Sequence, residues 1–229
     1  MNYSNFADDI VDNGTTLVPV CLCLDTSGSM RGKPISELNR GLKLFYDAVR
    51  KDEVACAAAD ICIVTFGNGG AQCMFDFSGL RNRPNPPELV AGGQTPMGDA
   101  VNKALDLLES RRDEYKRKGV DHYKPWLIIM TDGHPYGDSS SSAVPTAQRR
   151  TCDLVSNKNL VVFPIWIGND NTANGMNTLA GFSPKNPPKK LNGLDFSKFF
   201  QWLSRSVSSA SQSASEADIK LPPMDWTVL

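Results

Sequence analysis

The chain has 229 residues, of which 41% are hydrophobic, and its formal net charge at pH 7 is −1. These values are typical of one sizeable globular domain with a buried core. A charge this close to zero gives no reason to expect a nucleic-acid or membrane-surface partner. No apolar run is long enough to span a bilayer, and the first fifteen residues lack the basic and apolar segments of a signal peptide.

The six cysteines also favour a cytoplasmic protein. None of them forms a paired CxxC motif, and three lie within predicted buried strands, where a thiol behaves as a small apolar side chain. A reducing compartment is therefore expected. A zinc site at Cys21-x-Cys23 is disfavoured, because zinc sites usually use paired ligand clusters from loops.

The first predicted strand contains the apolar run of residues 18–24 and ends at a carboxylate, Asp25. A continuous apolar run indicates a strand that is covered on both faces, as in a parallel sheet. Pro34 then opens a helix with apolar residues at helical spacing through Val49.

A hairpin is predicted next. The apolar run that begins at Ile61 is followed by the turn residues 67–70 and by a second extended segment, residues 71–77. This hairpin adds one antiparallel edge strand to an otherwise parallel sheet.

The rest of the chain alternates between helices and strands. After a loop over residues 79–96, the sequence predicts these further elements: a helix after Thr95, a strand ending at Asp132, a helix over 145–158, a strand over 160–168 in which Pro164 indicates a bulge or near-edge position, and a helix over 196–207. This alternation predicts an α/β fold with a doubly wound, mostly parallel central sheet and helices on both faces.

Three parts of the chain are expected: an acidic lead-in (1–16), the α/β domain (17–207), and a flexible serine- and alanine-rich linker with a C-terminal peptide (208–229). The terminal peptide contains Trp226 and several prolines. It could dock on a partner or pack on its own domain, and the sequence does not distinguish the two.

Three loops at the carboxyl end of the predicted sheet carry hard oxygen ligands. They hold Asp25, Ser27, Ser29, Thr95 and Asp132. Ligands of open α/β sheets bind at this edge, and oxygen donors of this kind favour a hard cation such as Mg²⁺. Each residue also has a structural alternative, because Ser29 or Thr95 could cap a helix and Asp132 could be a turn residue.

These motifs, in their order, resemble the von Willebrand factor A (VWA) domain over residues 17–207. They are Asp-x-Ser-Gly-Ser after strand one, Gly-Gly-x-Thr-Pro before a central helix, and Thr-Asp-Gly after a later strand. The resemblance implies a metal-ion-dependent adhesion site (MIDAS) for Mg²⁺, Mn²⁺ or Ca²⁺. It implies that Ser27 and Ser29 bind the metal directly, Thr95 directly or through water, and Asp25 and Asp132 largely through water.

Within that family, LDTSGSMRGKPI, VAGGQTPMGDAV and YKPWLIIMTDGHP are similar to the bacterial TerY-like proteins of tellurium-resistance and stress operons. This resemblance implies a scaffold for a kinase or phosphatase of the same operon. His134 departs from the pattern, because a glutamate is expected there.

The function expected from the resemblance is a cytoplasmic, metal-dependent interaction module that binds an acidic residue of a protein partner, and not an enzyme. The alternative is a metal-dependent phosphohydrolase that uses the same cluster. An aspartyl-phosphate mechanism is disfavoured because Ser27 stands where the general acid would be needed.

Overall fold

The structure is a computed structural model that describes residues 14–80, 85–167, 173–191 and 193–228. Most of the predicted acidic lead-in therefore lies outside the described residues. The elements, in chain order, are β1 (Val18–Thr26), α1 (Lys33–Lys51), α2 (Glu53–Ala58), β2 (Ala59–Gly67), β3 (Gly70–Gly79), α3 (Met97–Lys118), β4 (Trp126–Thr131), α4 (Ala143–Ser156), β5 (Val161–Trp166), α5 (Ala173–Ala180), β6 (Lys189–Leu191), α6 (Phe196–Ser211) and β7 (Thr227–Val228).

One sheet in the order β3-β2-β1-β4-β5-β6-β7 organises the molecule. Strands β2, β1, β4, β5 and β6 run parallel, and β3 pairs antiparallel with β2. The predicted fold class is thereby confirmed. At the opposite edge, the short β7 pairs antiparallel with β6, which the sequence analysis did not anticipate.

Strand β1 is central and fully buried because its side chains pack in two cores, one on each face of the sheet. Val20, Leu22 and Leu24 belong to a core that α1 and α6 cover, whereas Cys21 and Cys23 point to a second core that includes residues of α3. Strand residues alternate between the two faces of a sheet, so a run that is apolar throughout needs helices on both sides. Asp25, at the end of this strand, comes to the rim where the loops meet.

Helix α6 continues four residues past the predicted end at 207, into the segment that was predicted to be a flexible linker. The reason is that Ala210 is buried in the core on the α1 side of the sheet. Helix α4 begins at Ala143, two residues before its predicted start. No helix within the described ranges is long and apolar enough to cross a membrane.

The C-terminal peptide packs on its own domain. Trp226 is fully buried, with its ring centroid 5.0 Å from that of Phe199 and 5.4 Å from that of Trp202. The Trp202 indole N–H donates a 2.9 Å hydrogen bond to the carbonyl of Pro222. The sequence left open whether this peptide docks on a partner or packs on its own domain, and in the structure it packs on its own domain.

Candidate metal site

The first loop of the candidate site follows β1 directly. Asp25 is fully buried, and its Oδ1 accepts a 2.7 Å hydrogen bond from the backbone N–H of Ser27. Ser27 is 2% exposed, while Ser29 faces solvent, and their Oγ atoms are 3.0 Å apart. Ser29 does not cap α1, whose N-cap residue is Gly32.

The loop after β4 reaches the same place because β4 is the neighbour of β1 in the sheet. The Ser29 hydroxyl donates a 2.6 Å hydrogen bond to Oδ1 of Asp132. One residue earlier, the Thr131 hydroxyl donates to Oδ2 of Asp25. A continuous chain of polar contacts therefore runs from Ser27 through Ser29 to Asp132, next to a buried carboxylate.

Thr95 lies on the loop before α3 and is 9% exposed. Its backbone N–H and C=O pair with those of Tyr136 at 2.9 Å each, in an antiparallel bridge. A Cβ atom placed on Gly133 would lie 3.7 Å from Thr95 Oγ1 and 4.0 Å from Asp25 Oδ2, so this spot is flanked by both side chains. The alternative role of Thr95 as a helix cap is not found, because the N-cap position is Pro96.

Backbone contacts fix these loops to one another. The N–H of Gly28 donates to the carbonyl of Gly93 at 3.1 Å, and the N–H of Gly92 donates to the carbonyl of Thr26 at 2.8 Å. Gly93 has φ +73°, and a Cβ atom there would lie only 2.7 Å from the carbonyl oxygen of Gly67. Only glycine fits this approach of the second loop to the ends of β1 and β2.

A second set of contacts holds the loop after β4. The Asp99 carboxylate accepts hydrogen bonds from the backbone N–H and the hydroxyl of Ser139 at 2.6 and 2.7 Å. In return, Asp138 accepts a 2.8 Å bond from the N–H of Asp99. Burial, together with the charge of Asp99, raises the pKa of Asp138. These acids therefore position the loop that carries Asp132.

The electrostatics of the rim favour a cation. Burial raises the pKa of Asp25 to about 6, against the opposing effect of the hydrogen bonds from Ser27 and Thr131, and the charge of Asp132 raises it further. Among the described residues, no lysine or arginine forms an ion pair with Asp25. Buried carboxylates are normally paired or coordinated to metals, and the neighbouring donors here are hydroxyls, which suit Mg²⁺, Mn²⁺ or Ca²⁺.

The structure thus brings all five predicted residues to one rim, although their metal role stays a prediction. Two contributors were missed by the sequence analysis. Thr131 orients Asp25 through its hydroxyl. A hydroxyl residue at the last position of a buried strand could have indicated this role from the sequence. Tyr136 holds Thr95 through backbone atoms alone, and no sequence pattern reports such a bridge.

The comparisons with known proteins agree with this architecture. Residues 20–191 match the family model for the von Willebrand factor type A domain. A comparison with curated protein sequences gives no match.

Three similar solved structures illustrate the range of the fold. The vWF domain of the type V pili tip protein Mfa5 from Porphyromonas gingivalis has a TM-score of 0.65 and 10% identity, over 88% of this chain and 98% of that one. The pilus adhesin SpaC from Lactobacillus rhamnosus GG, in its open conformation, has a TM-score of 0.64 and 13% identity, over 86% of this chain and 30% of that one. Manganese-loaded TRAP from Plasmodium vivax has a TM-score of 0.50 and 19% identity, over 80% of this chain and 73% of that one.

At these identities the structural likeness shows the fold alone. The family match, in contrast, covers three quarters of the sequence and includes all five residues at the rim. The chain therefore belongs to the von Willebrand factor type A domain family.

Proposed function

We propose that the chain is a metal-ion-dependent protein-interaction module. In this proposal, Asp25, Ser27, Ser29, Thr95 and Asp132 hold one divalent cation in a MIDAS-type site. The cation, Mg²⁺ or alternatively Mn²⁺ or Ca²⁺, then binds a carboxylate of a protein partner. The observation that carries the proposal is the chain of contacts from Ser27 through Ser29 to Asp132 beside the buried Asp25.

The donor set explains why such a site would bind a partner and not merely a metal. Ser27, Ser29 and Thr95 offer neutral hydroxyl oxygens, and Asp25 and Asp132 act largely through bound water, so the direct protein ligands leave the charge of the ion under-neutralised. A bound divalent cation supplies a hard Lewis acid that still attracts an anionic oxygen ligand. Ser29 faces solvent, which gives a partner access to this side of the rim.

The exposed side chains around the rim support an acidic partner. Arg31 lies in the loop after Ser29, with its guanidinium beside Gly92, and His134 follows Asp132 closely in the chain. Both side chains are exposed, and the positive charge of Arg31 favours negative charge on an approaching protein. Tyr136, 68% exposed, adds an aromatic surface of the type that is enriched in interfaces.

A phosphohydrolase remains the second function under test. Asp25, the carboxylate that an aspartyl-phosphate mechanism would use as its nucleophile, has both oxygens engaged in hydrogen bonds, from Ser27 and from Thr131. A fixed and buried carboxylate favours a positioning role over nucleophilic attack. The similar structures, which include a pilus tip protein and a pilus adhesin, also favour interaction.

The similarity of three sequence segments to TerY-like proteins extends the proposal to a biological setting. In it, the module works in the cytoplasm of a bacterium, within a stress or tellurium-resistance system. Its partner is a kinase or phosphatase encoded in the same operon. This part rests on sequence resemblance and not on the geometry of the rim.

Calorimetric titration of the full chain with Mg²⁺ and Mn²⁺, after removal of bound metal, tests the cation site. One saturable site is expected in the wild type and none in the double variant Ser27→Ala, Ser29→Ala. A matched control is Ser140→Ala, Ser142→Ala, because these two exposed serines also have their Oγ atoms 2.9 Å apart but lie at the start of α4. Equal cation affinity in the wild type and the Ser27, Ser29 variant would contradict the proposal.

The carboxylate partner is tested separately with acetate as the probe. Protein-bound Mn²⁺ enhances the relaxation of water protons, and acetate should reduce that enhancement by displacing a bound water. Release of phosphate from p-nitrophenyl phosphate, dependent on Mg²⁺ and abolished by Asp25→Asn, would instead establish the phosphohydrolase.

A further inference from the structure

A second group of metal-ligating side chains lies away from the rim. The sulfur atoms of Cys62 and Cys73 and a carboxylate oxygen of Asp76 all lie within 4.8 Å of one another. Cys62 pairs in register with Cys21, four residues before Asp25 in β1, which places it about 13 Å from the rim along the strand. The two groups therefore share no residue.

Two irregularities in the β2–β3 ladder bring these side chains to one face. Ile61 pairs with Ser78, Ile63 with Phe75, and Val64 with Cys73. Strand β3 therefore contains an extra residue on each side of Phe75. In a regular strand Cys73 and Asp76 would point to opposite faces, and bulges are the usual device that re-aims a side chain.

The packing of Phe75 and Phe77 shows the same change in side-chain direction along β3. Phe75 packs against the core on the α1 side, whereas Phe77, only two residues on, belongs to the core on the α3 side together with Cys62. The bulges thus leave Asp76 and Cys73 beside Cys62. Cys73 and Asp76 are both exposed at the sheet edge, so neither side chain is part of the apolar packing.

From this geometry we propose that Cys62, Cys73 and Asp76 form a second cation site, for a thiophilic d10 ion of the Zn²⁺ class. Thiolates select such ions over Mg²⁺, whereas the hydroxyl-rich rim has the opposite preference. Zinc binds sulfur at about 2.3 Å and carboxylate oxygen at about 2.1 Å, so ligands of one tetrahedral ion lie about 3.5–4 Å apart. Atoms already within 4.8 Å need to move by only about 1 Å to meet that geometry.

The surroundings explain how the thiols behave before the ion binds. Burial raises the pKa of Cys62, and the hydrogen bond between the two thiols raises that of Cys73. Both are therefore protonated at neutral pH, and an ion would displace these protons on binding. The Lys103 ammonium group acts in the opposite sense, because its charge favours the thiolate of Cys73.

Cobalt(II) is the probe, because it substitutes for Zn²⁺ and its thiolate complexes absorb in the near ultraviolet by sulfur-to-metal charge transfer. The full chain is reduced, freed of metal and titrated with Co²⁺ in excess Mg²⁺. We expect the charge-transfer band in the wild type, its disappearance on addition of Zn²⁺, and its loss in Cys73→Ser. Asp76→Asn should lower the affinity for Zn²⁺ by about tenfold or more.

Two control variants locate the signal. Cys152→Ser removes a thiol on α4, whose sulfur donates instead to the carbonyl of Gly181, and should leave the band unchanged. The Ser27→Ala, Ser29→Ala variant should also retain the band, which separates this site from the rim. Cys73 is exposed on an edge strand, so its replacement should preserve the fold, as checked by circular dichroism.

The proposal is overturned if the wild type shows no charge-transfer band, or if Cys73→Ser shows the same band.

Discussion

The Ser29 hydroxyl donates a 2.6 Å hydrogen bond to the Asp132 carboxylate, although the two residues are 103 positions apart in the sequence. This bond joins the loop after β1 to the loop after β4. It is the direct link between two of the three loops that form the candidate site.

Replacement of Asp132 by alanine should reduce the affinity for Mg²⁺ or Mn²⁺ by about tenfold or more, because it removes a carboxylate and the acceptor that orients Ser29. The thermal midpoint in chelator should change little, since Asp132 is not in the core. Calorimetric titration and a thermal scan measure the two effects. Asp113→Ala, an exposed acid on α3, is the control, and a similar loss of affinity in that variant would refute the prediction.

Cation binding should stabilise the fold. A ligand present at 100 times its dissociation constant adds about 2.7 kcal/mol, and in a domain of this size that corresponds to a rise in Tm of about 5–10 °C. The gain should be reversed by EDTA and be absent in the Ser27→Ala, Ser29→Ala variant. An unchanged Tm at a cation concentration that saturates the calorimetric signal would contradict it.

Trp226→Ala should destabilise the domain by about 3–5 kcal/mol, because it removes a fully buried aromatic side chain that packs on Phe199 and Trp202. Urea unfolding followed by fluorescence measures the loss. Leu221→Ala is the matched control, since this nearby side chain is 36% exposed and should cost little. Equal stability of the two variants would show that the C-terminal peptide does not contribute to the core.

The stability of the domain should depend on pH through the carboxylate of Asp52. Its carboxylate caps α2 by accepting from the N–H groups of Val54 and Ala55 at 3.1 Å each, and Ser208 of α6 also donates to it. The hydrogen bond from Ser208, followed by that from Ala55, lowers the pKa of Asp52 below its usual 3.8. Its stabilising effect is therefore present above the unfolded pKa and is lost as the pH falls through the folded one.

Asp52→Ala should accordingly cost about 1–2 kcal/mol at pH 7, and the difference from the wild type should shrink below about pH 4. Urea unfolding at pH 7, 5 and 3 measures it. Ser208→Ala should reproduce part of the pH-dependent loss, because it removes one donor. A difference that is the same at all three pH values would mean that the charge of Asp52 is not involved.

The sequence predicts the sheet well because its strands are buried on both faces. A run such as that of β1 has few alternatives, and the hairpin at residues 67–70 is encoded by local turn chemistry. The convergence of Asp25 and Asp132 also follows, since β1 and β4 are neighbours and parallel strands end at one edge.

Other features depend on contacts that a single sequence does not encode. The bulges around Phe75 arise from the fit between β2 and β3, and an alternating pattern gives no sign of them. The serine-rich composition after Ser208 predicts a linker, but Trp226 overrides it through burial in the core. The metal role of the five rim residues itself stays a prediction until a cation is titrated.

Main-chain contacts hold part of the candidate site together. Gly28, Gly92 and Gly93 tie two loops together, and Tyr136 holds Thr95 without using its phenol ring. Arg31, His134 and Tyr136 are consequently free to vary as recognition groups at little cost to the scaffold. A library randomised at those three positions should yield folded domains with altered partner preference, which makes this rim a template for engineered, chelator-releasable binders.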